Sequence, residues 1–248
     1  MTKKYGNLKR AEKEYKKNLG KTSNDLLKAK ETNGANPIPR QPQYNRYQEI
    51  NAKLITRFSK ESIKSIMFTS TAHGDGSSFT AVSFARTLAR DSRLNVLLID
   101  ANLRLPGLHE IFNIKYKKGW SNLLTQDKDK TFFLKKWEHG GLYLFSFGEN
   151  TPEPINLFGS IHFVKTLQSM REKFHYVIFD VPPVTIYTES IVIASKVDGV
   201  ILVLQADKTR QQVALRAKQE MENAGANILG VILNKRKHYI PEWIYQRL

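Results

Sequence analysis

The chain has 248 residues, of which 41% are hydrophobic, and this length can bury one α/β core with a short appendage. Its 39 lysines and arginines exceed its 23 aspartates and glutamates, and the formal charge of +16 makes acidic partners worth considering. The absence of cysteine excludes a disulfide framework, a thiolate nucleophile and a thiolate metal site. We expect neither a signal peptide nor a membrane span, because no apolar run approaches the roughly 20 residues required.

The first 43 residues are predicted to be a basic tail followed by a linker. Residues 1–30 hold ten lysines or arginines against three acids, a net charge of +7, which favours an anionic membrane surface; a solvated tail is the alternative interpretation. Thr32–Gln43 contains three prolines and is typical of a linker. Residues 44–248 are predicted to form one domain that begins with a helix over Tyr44–Phe58.

Apolar runs and helical patterns alternate through this domain, which predicts an α/β fold with a mostly parallel sheet and helices on both faces. The predicted strands are Ser65–Thr69, Asn95–Ile99, Leu142–Phe147, Tyr176–Phe179, Gly199–Gln205 and Ile228–Leu233. The predicted helices are Ser78–Arg90, Leu108–Phe112, Ile155–Phe174, Ser190–Lys196 and Arg210–Ala224. Ligands of such sheets bind at the carboxyl ends of the strands.

A glycine-bearing loop follows the first strand in the segment SIMFTSTAHGDGSSFTAVSFARTL. Gly74 and Gly76 allow the backbone to approach a phosphate, and the N–H groups that open the next helix point at the same place. The phosphate-loop pattern requires a lysine between its last glycine and its hydroxyl residue. Here Ser77 occupies the lysine position and Ser78 the hydroxyl position, so the scaffold lacks its usual cation.

Two further strands end in a carboxylate. Asp100 ends the second strand, with Arg104 on the loop that follows, and this pair suits a metal-bound water and a phosphate oxygen. Asp180 ends the fourth strand in a Walker B arrangement, before two prolines that stiffen the turn. Taken singly, each carboxylate could instead cap a turn. Because a parallel sheet brings the three strand ends side by side, the sequence predicts a nucleotide site there.

These segments resemble the bacterial tyrosine kinases of capsule and exopolysaccharide export, the BY-kinases, and behind them the deviant-Walker P-loop ATPases. The marks are TSTAHGDGSSFTA, VLLIDANLRLPGLHEIF and YVIFDVPPV, and the resemblance covers about Glu61 to Asn234. It implies a P-loop NTPase fold that binds ATP or ADP with Mg²⁺. It places nucleotide contacts at Gly74, Asp75, Gly76, Ser77, Ser78, Phe79 and Asn234, the last against adenine; Mg²⁺ contacts at Ser78, Asp100 and Asp180; and, in an active enzyme, catalytic roles at Asp100 and Arg104.

The chain also departs from the family pattern. Ser77 replaces the phosphate lysine, Asn102 replaces the second acid of D-x-D, and His73 replaces the loop proline. Only Tyr239 and Tyr245 lie near the C-terminus, where relatives carry a tyrosine cluster, and the ring-forming motif is not recognisable around residues 47–57.

These departures predict a catalytically impaired pseudokinase. It would act as a regulatory or binding partner of a membrane-embedded chain-length or export protein, from the cytoplasm and peripheral to the inner face of the plasma membrane. An anionic membrane surface and a second copy of the chain are further expected partners.

Two other functions stay open. The first is an active ATP-dependent protein-tyrosine autokinase, in which Arg104 or a lysine such as Lys64 substitutes for the missing cation. The second is a partition or positioning ATPase, which the positive charge favours. Those ATPases place a signature lysine early in the loop, where this chain has Ala72, so a nucleic-acid partner is not expected.

Overall fold

The computed structural model describes residues 48–50, 52–53, 63–91, 94–113, 119, 134–136, 141–148 and 154–236. The predicted tail and linker over residues 1–43 lie outside this part of the chain, as do Tyr239 and Tyr245. Within the helix predicted over Tyr44–Phe58, residues 48–50 and 52–53 are helical.

The described residues form a seven-stranded sheet in the order β3-β4-β2-β5-β1-β6-β7. All neighbouring strands are parallel except β3 and β4, which are antiparallel. The strands are β1 (Ser65–Ser70), β2 (Val96–Asp100), β3 (Leu134–Lys136), β4 (Leu142–Phe145), β5 (Tyr176–Asp180), β6 (Gly199–Gln205) and β7 (Ile228–Asn234).

The helices are α1 (Ser77–Asp91), α2 (Leu108–Phe112), α3 (Pro154–Gly159), α4 (Ile161–Lys173), α5 (Thr188–Ala194) and α6 (Gln211–Asn223). They divide the core into two layers. Ile66 and Phe68 of β1 pack with α1 and α2 on one face, whereas Met67 packs with α3, α4, α5 and α6 on the other. Successive side chains of a strand point to opposite faces, so this sheet buries both. The predicted α/β sheet with helices on both faces is therefore confirmed.

One local prediction was wrong, and one strand was missed. The single helix predicted over Ile155–Phe174 is two helices, because Ser160 adopts an extended backbone (φ −73°, ψ 155°) and its hydroxyl accepts the N–H of Phe163 at 3.2 Å as the N-cap of α4. Strand β3 was not predicted, since its three residues carry no alternating pattern.

Within the described ranges, no helix combines the length and apolar character needed to cross a bilayer.

Candidate nucleotide site

The carboxyl ends of the three central strands β1, β5 and β2 lie next to one another. Phe68 of β1 pairs with Asp180 of β5, and Asp180 pairs in turn with Asp100 of β2. Backbone bonds continue past the strands: the N–H of Ala101 donates to the carbonyl of Asp180 at 2.9 Å, and that of Val181 donates to Phe68 at 3.0 Å. The predicted meeting of three strand ends is what the structure shows.

The loop between β1 and α1 depends on glycine at two positions. Gly74 has φ 88° and Gly76 has φ 95°, a region that residues with a Cβ rarely adopt. A Cβ on Gly76 would stand 2.1 Å from Nδ2 of Asn234, which is closer than non-bonded atoms approach. Both the backbone angle and the close packing therefore require glycine at position 76.

Asp75 turns its side chain into the loop itself. Its carboxylate accepts the Thr71 hydroxyl and the Ala72 N–H, both at 3.0 Å, and the residue is buried. Burial raises the pKa of Asp75, and the bonds from Thr71 and Ala72 act in the opposite direction. The predicted nucleotide contact of Asp75 would therefore come from its backbone, because the side chain braces the loop.

The end of β7 holds the opposite side of this loop. Nδ2 of Asn234 donates to the carbonyl of Asp75 at 2.9 Å, and Nζ of Lys235 donates to the carbonyl of Gly74 at 2.6 Å. The N–H of a trans peptide points opposite to its carbonyl, so the N–H of Gly76 is turned away from Asn234. Lys235 was not predicted. The sequence signal that could have found it is its position directly after a strand that ends beside the loop.

Helix α1 begins at Ser77, one residue before the predicted start. The N–H and hydroxyl of Thr80 donate to the carbonyl of Gly76 at 3.0 and 2.8 Å and so close the first turn. The leading N–H groups of a helix have no partner within it and favour an anion. Ser77, Ser78 and Phe79 form this turn, as a phosphate-binding role requires.

The two strand-end carboxylates are buried together. Burial raises the pKa of Asp100 to about 7, although three backbone N–H groups donate to that carboxylate. Burial also raises the pKa of Asp180 well above its ordinary value, the neighbouring Asp100 raises it further, and a hydrogen bond from the Ser78 side chain opposes both effects. Two buried carboxylates of like charge are stabilised by a proton or by a cation.

The carboxylate of Asp100 has a structural role as well. Its Oδ2 accepts the N–H groups of Gly107 and Leu108 at 3.0 Å each, and its Oδ1 accepts the N–H of Asn102 at 3.3 Å. The capping alternative considered for Asp100 is therefore what the geometry shows. Asn102, at the position of the second acid, accepts the N–H of Leu105 at 3.0 Å and likewise shapes the loop.

Arg104 and His73 belong to a side-chain network that joins three loops. Nε of Arg104 donates to Oε1 of Glu189 at 2.8 Å; Glu189 is buried in the first turn of α5, whereas the Arg104 side chain is 45% exposed. The Arg104 guanidinium also lies 6.0 Å from the ring centroid of Tyr187, whose hydroxyl is 3.2 Å from Nε2 of His73. Neither Glu189 nor Tyr187 was predicted, and no spacing in the sequence distinguishes them.

Lys64 cannot replace the missing lysine, and that suggestion was wrong. It precedes β1, so it lies at the opposite edge of the sheet from the loop, and its Nζ donates to the carbonyl of Arg171 at 3.3 Å.

The residues at this edge suit a nucleotide and a magnesium ion. A glycine-braced loop, a helix N-terminus and oxygen ligands from one serine and two aspartates are what phosphate and Mg²⁺ require. Among the described residues no group of three or more His, Cys, Asp or Glu side chains could hold a metal. Fold and site together define a P-loop nucleotide-binding protein.

Comparison with known proteins identifies the family. The chain is 32% identical over 180 residues to the tyrosine-protein kinase CpsD of Streptococcus agalactiae, across 72% of this chain and 78% of that protein. The crystal structure of the chimerical protein CapA2B2 is similar with a TM-score of 0.75 and 26% identity, over 81% of this chain and 88% of that one. No protein-family model matches. The chain belongs to the bacterial tyrosine-protein kinase family.

The septum site-determining protein MinD from Pyrococcus horikoshii, in complex with Mg-ADP, is similar with a TM-score of 0.56 and 17% identity, over 75% of this chain and 76% of that one. At this identity the likeness shows the shared fold alone.

Proposed function

We propose that the protein is a pseudokinase of the bacterial tyrosine-kinase family, which binds ATP or ADP with Mg²⁺ and regulates capsule or exopolysaccharide synthesis. The observation that carries this proposal is Ser77, which opens α1 at the lysine position of a loop that keeps its glycines and its hydroxyl residue. The protein would keep nucleotide binding and would have lost phosphoryl transfer.

The backbone of the loop would hold the nucleotide. The N–H groups of Gly76 and of the first turn of α1 would bind phosphate oxygens, and Ser78 with Asp180 would bind Mg²⁺. When bound, the metal neutralises phosphate charge and polarises the phosphoryl group. Asp100 would support Asp180 while its oxygens keep Gly107 and Leu108 in place.

Loss of the lysine accounts for impaired turnover. Phosphoryl transfer depends almost entirely on positioning and charge. An ammonium about 4 Å from a phosphate charge contributes about 4 kcal/mol at an effective dielectric constant of 20, and the part of this energy that increases in the transition state accelerates the transfer. The serine hydroxyl carries no charge, and Asn102 adds a neutral amide where relatives have a second acid.

The partner would be a membrane-embedded chain-length or export protein, reached from the cytoplasmic side. The net charge of +7 over residues 1–30 supports an additional contact with anionic lipid at the inner face of the plasma membrane. Deleting residues 1–43 is therefore expected to reduce sedimentation with vesicles that contain phosphatidylglycerol. Equal sedimentation by both chains would contradict the lipid contact.

The test of the proposal is a phosphotransfer assay on the full chain. Wild type, Ser77→Lys and Asp100→Ala are incubated with Mg-ATP, and phosphotyrosine is measured. We expect no phosphotyrosine from wild type. Tyrosine phosphorylation by wild type that Asp100→Ala abolishes would overturn the pseudokinase proposal and establish the active autokinase.

The active kinase is the second candidate, because Ser78, Asp100, Arg104 and Asp180 are all retained and gather at one edge of the sheet. The positioning ATPase rests on net charge alone. Salt-sensitive binding of duplex DNA by residues 44–248 would be needed to support it.

A further inference from the structure

We infer that Lys235 supplies the phosphate loop with the positive charge that Ser77 does not provide. The inference rests on the proposed function, because it assigns one more residue to nucleotide binding. Its starting observation is the 2.6 Å bond from Nζ of Lys235 to the carbonyl oxygen of Gly74, 161 residues earlier in the chain.

The backbone directs Lys235 toward the loop. Strand β7 ends at Asn234, and Lys235 then adopts φ 56°, an angle uncommon in residues other than glycine. The side chain of Asn234 stabilises this turn, because its Oδ1 accepts the N–H of Lys235 at 2.9 Å while its Nδ2 donates to Asp75. Asn234 and Lys235 therefore donate hydrogen bonds to two consecutive loop carbonyls, those of Asp75 and Gly74.

Three other cations considered for the loop do not serve it, and a fourth nearby, Lys208, acts on the Asp75 carboxylate, whose pKa its charge lowers. Arg104 is paired with the buried carboxylate of Glu189. Burial lowers the pKa of His73 to about 4, so its imidazole is neutral at physiological pH. Lys64 lies at the far edge of the sheet. None of the ion pairs found among the described residues includes Lys235. Its ammonium bonds a neutral carbonyl, which does not cancel its positive charge.

The Lys235 ammonium, bonded to the carbonyl of Gly74, would give the phosphate loop a cation although Ser77 stands at the lysine position. The Lys235 side chain is exposed, and its ammonium bonds the carbonyl of Gly74, three residues before the first residue of α1. At this exposed position the ammonium acts through solvent on an anion held by the first turn of α1, so its effect is screened by salt. We assign Lys235 as a positioning residue for the loop and as the source of its charge.

A double-mutant cycle tests the assignment. The full chain is titrated with Mg-ADP by calorimetry as wild type, Lys235→Met, Lys235→Arg, Ser77→Lys and the Ser77→Lys/Lys235→Met double variant. We expect Lys235→Met to weaken binding about tenfold or more and Lys235→Arg to keep it within about threefold. The double variant should bind within about threefold of Ser77→Lys, because a lysine at position 77 makes the second cation redundant.

Lys196→Met is the matched control. It removes the same charge from an exposed side chain near the amino end of β6, at the opposite edge of the sheet, and should bind like wild type. Hydrogen exchange of the amides at 72–76, measured without nucleotide, reports how far the bond from Lys235 stabilises the loop, independently of its effect on nucleotide binding. We expect faster exchange in Lys235→Met than in Lys196→Met.

Three results would overturn the assignment. Wild-type affinity in Lys235→Met would show that the charge is not used. Weak binding that Ser77→Lys does not rescue would show that Lys235 only shapes the loop. Absence of Mg-ADP binding by wild type would refute both the charge role of Lys235 and the proposed function. The first two results, in which wild type binds Mg-ADP, would refute the role of Lys235 alone.

Discussion

Replacing Gly76 by alanine should damage both the stability of the chain and its nucleotide site. Position 76 has φ 95°, and a new Cβ would stand 2.1 Å from Nδ2 of Asn234. The backbone strain costs about 1–3 kcal/mol. Displacing the Asn234 amide from Asp75 costs about 0.5–1.5 kcal/mol, while alanine recovers about 0.4–1 kcal/mol by restricting the unfolded chain. The expected loss in the free energy of unfolding is about 2 kcal/mol, the middle of the range that these contributions span, and binding of Mg-ADP should disappear.

Two other glycines separate the causes. Gly225 has φ 84° with nothing within 4 Å of a Cβ, so Gly225→Ala carries the strain alone and should cost about 1 kcal/mol. Gly159, at the end of α3, has neither problem, and Gly159→Ala should stabilise the chain by about 0.4–1 kcal/mol. Urea unfolding of the three variants gives the comparison. A Gly76→Ala chain that is no less stable than Gly225→Ala and still binds Mg-ADP would show that the contact with Asn234 does not require glycine at position 76.

Three further predictions concern the carboxylates, an ion pair and a helix cap. Burial raises the pKa of Asp100 to about 7 and that of Asp180 well above its ordinary value, so the folded chain keeps protons that the unfolded chain releases near pH 4. The free energy of unfolding without metal should therefore fall as the pH rises from about 4 to 7. The fall should be smaller in Asp100→Asn. Melting temperatures measured across this range decide it; a rising trend would contradict it. Arg104→Met leaves a buried carboxylate without its ion pair and should cost about 1–2 kcal/mol, against less than about 0.5 for Arg216→Met in an exposed pair, and equal losses in urea unfolding would refute the difference. Ser160→Ala removes the N-cap of α4 and should lower the free energy of unfolding by about 1 kcal/mol in urea unfolding. An unchanged free energy of unfolding would show that the cap does not stabilise the chain.

Strong hydrophobic patterns allowed most of the sheet to be predicted. Strands such as YVIFD at β5 are apolar on both faces, which fixes them as interior parallel strands, and all six predicted strands are present. Edge strand β3 has three residues, LKK, and is held by backbone pairing to β4, which no side-chain pattern reports. The break at Ser160 was missed because helical periodicity continues across it on both sides.

The site was predictable where backbone position alone sets it. Asp100 and Asp180 end parallel strands, so their adjacency follows from the order of strands. The partners of the folded-back side chains were not predicted: Asp100 accepts the N–H of Gly107, and Lys235 reaches the loop from the far end of the chain. Such contacts join residues that are distant in sequence or are set by turn geometry, and neither leaves a periodic signal.

The central claim is that the phosphate loop still binds a nucleotide although Ser77 stands at its lysine position. Calorimetric titration of the full chain with Mg-ADP tests this most directly. We expect saturable binding of one nucleotide per chain and the loss of this binding in Gly76→Ala. Absence of binding by the wild-type chain at millimolar Mg-ADP would contradict it.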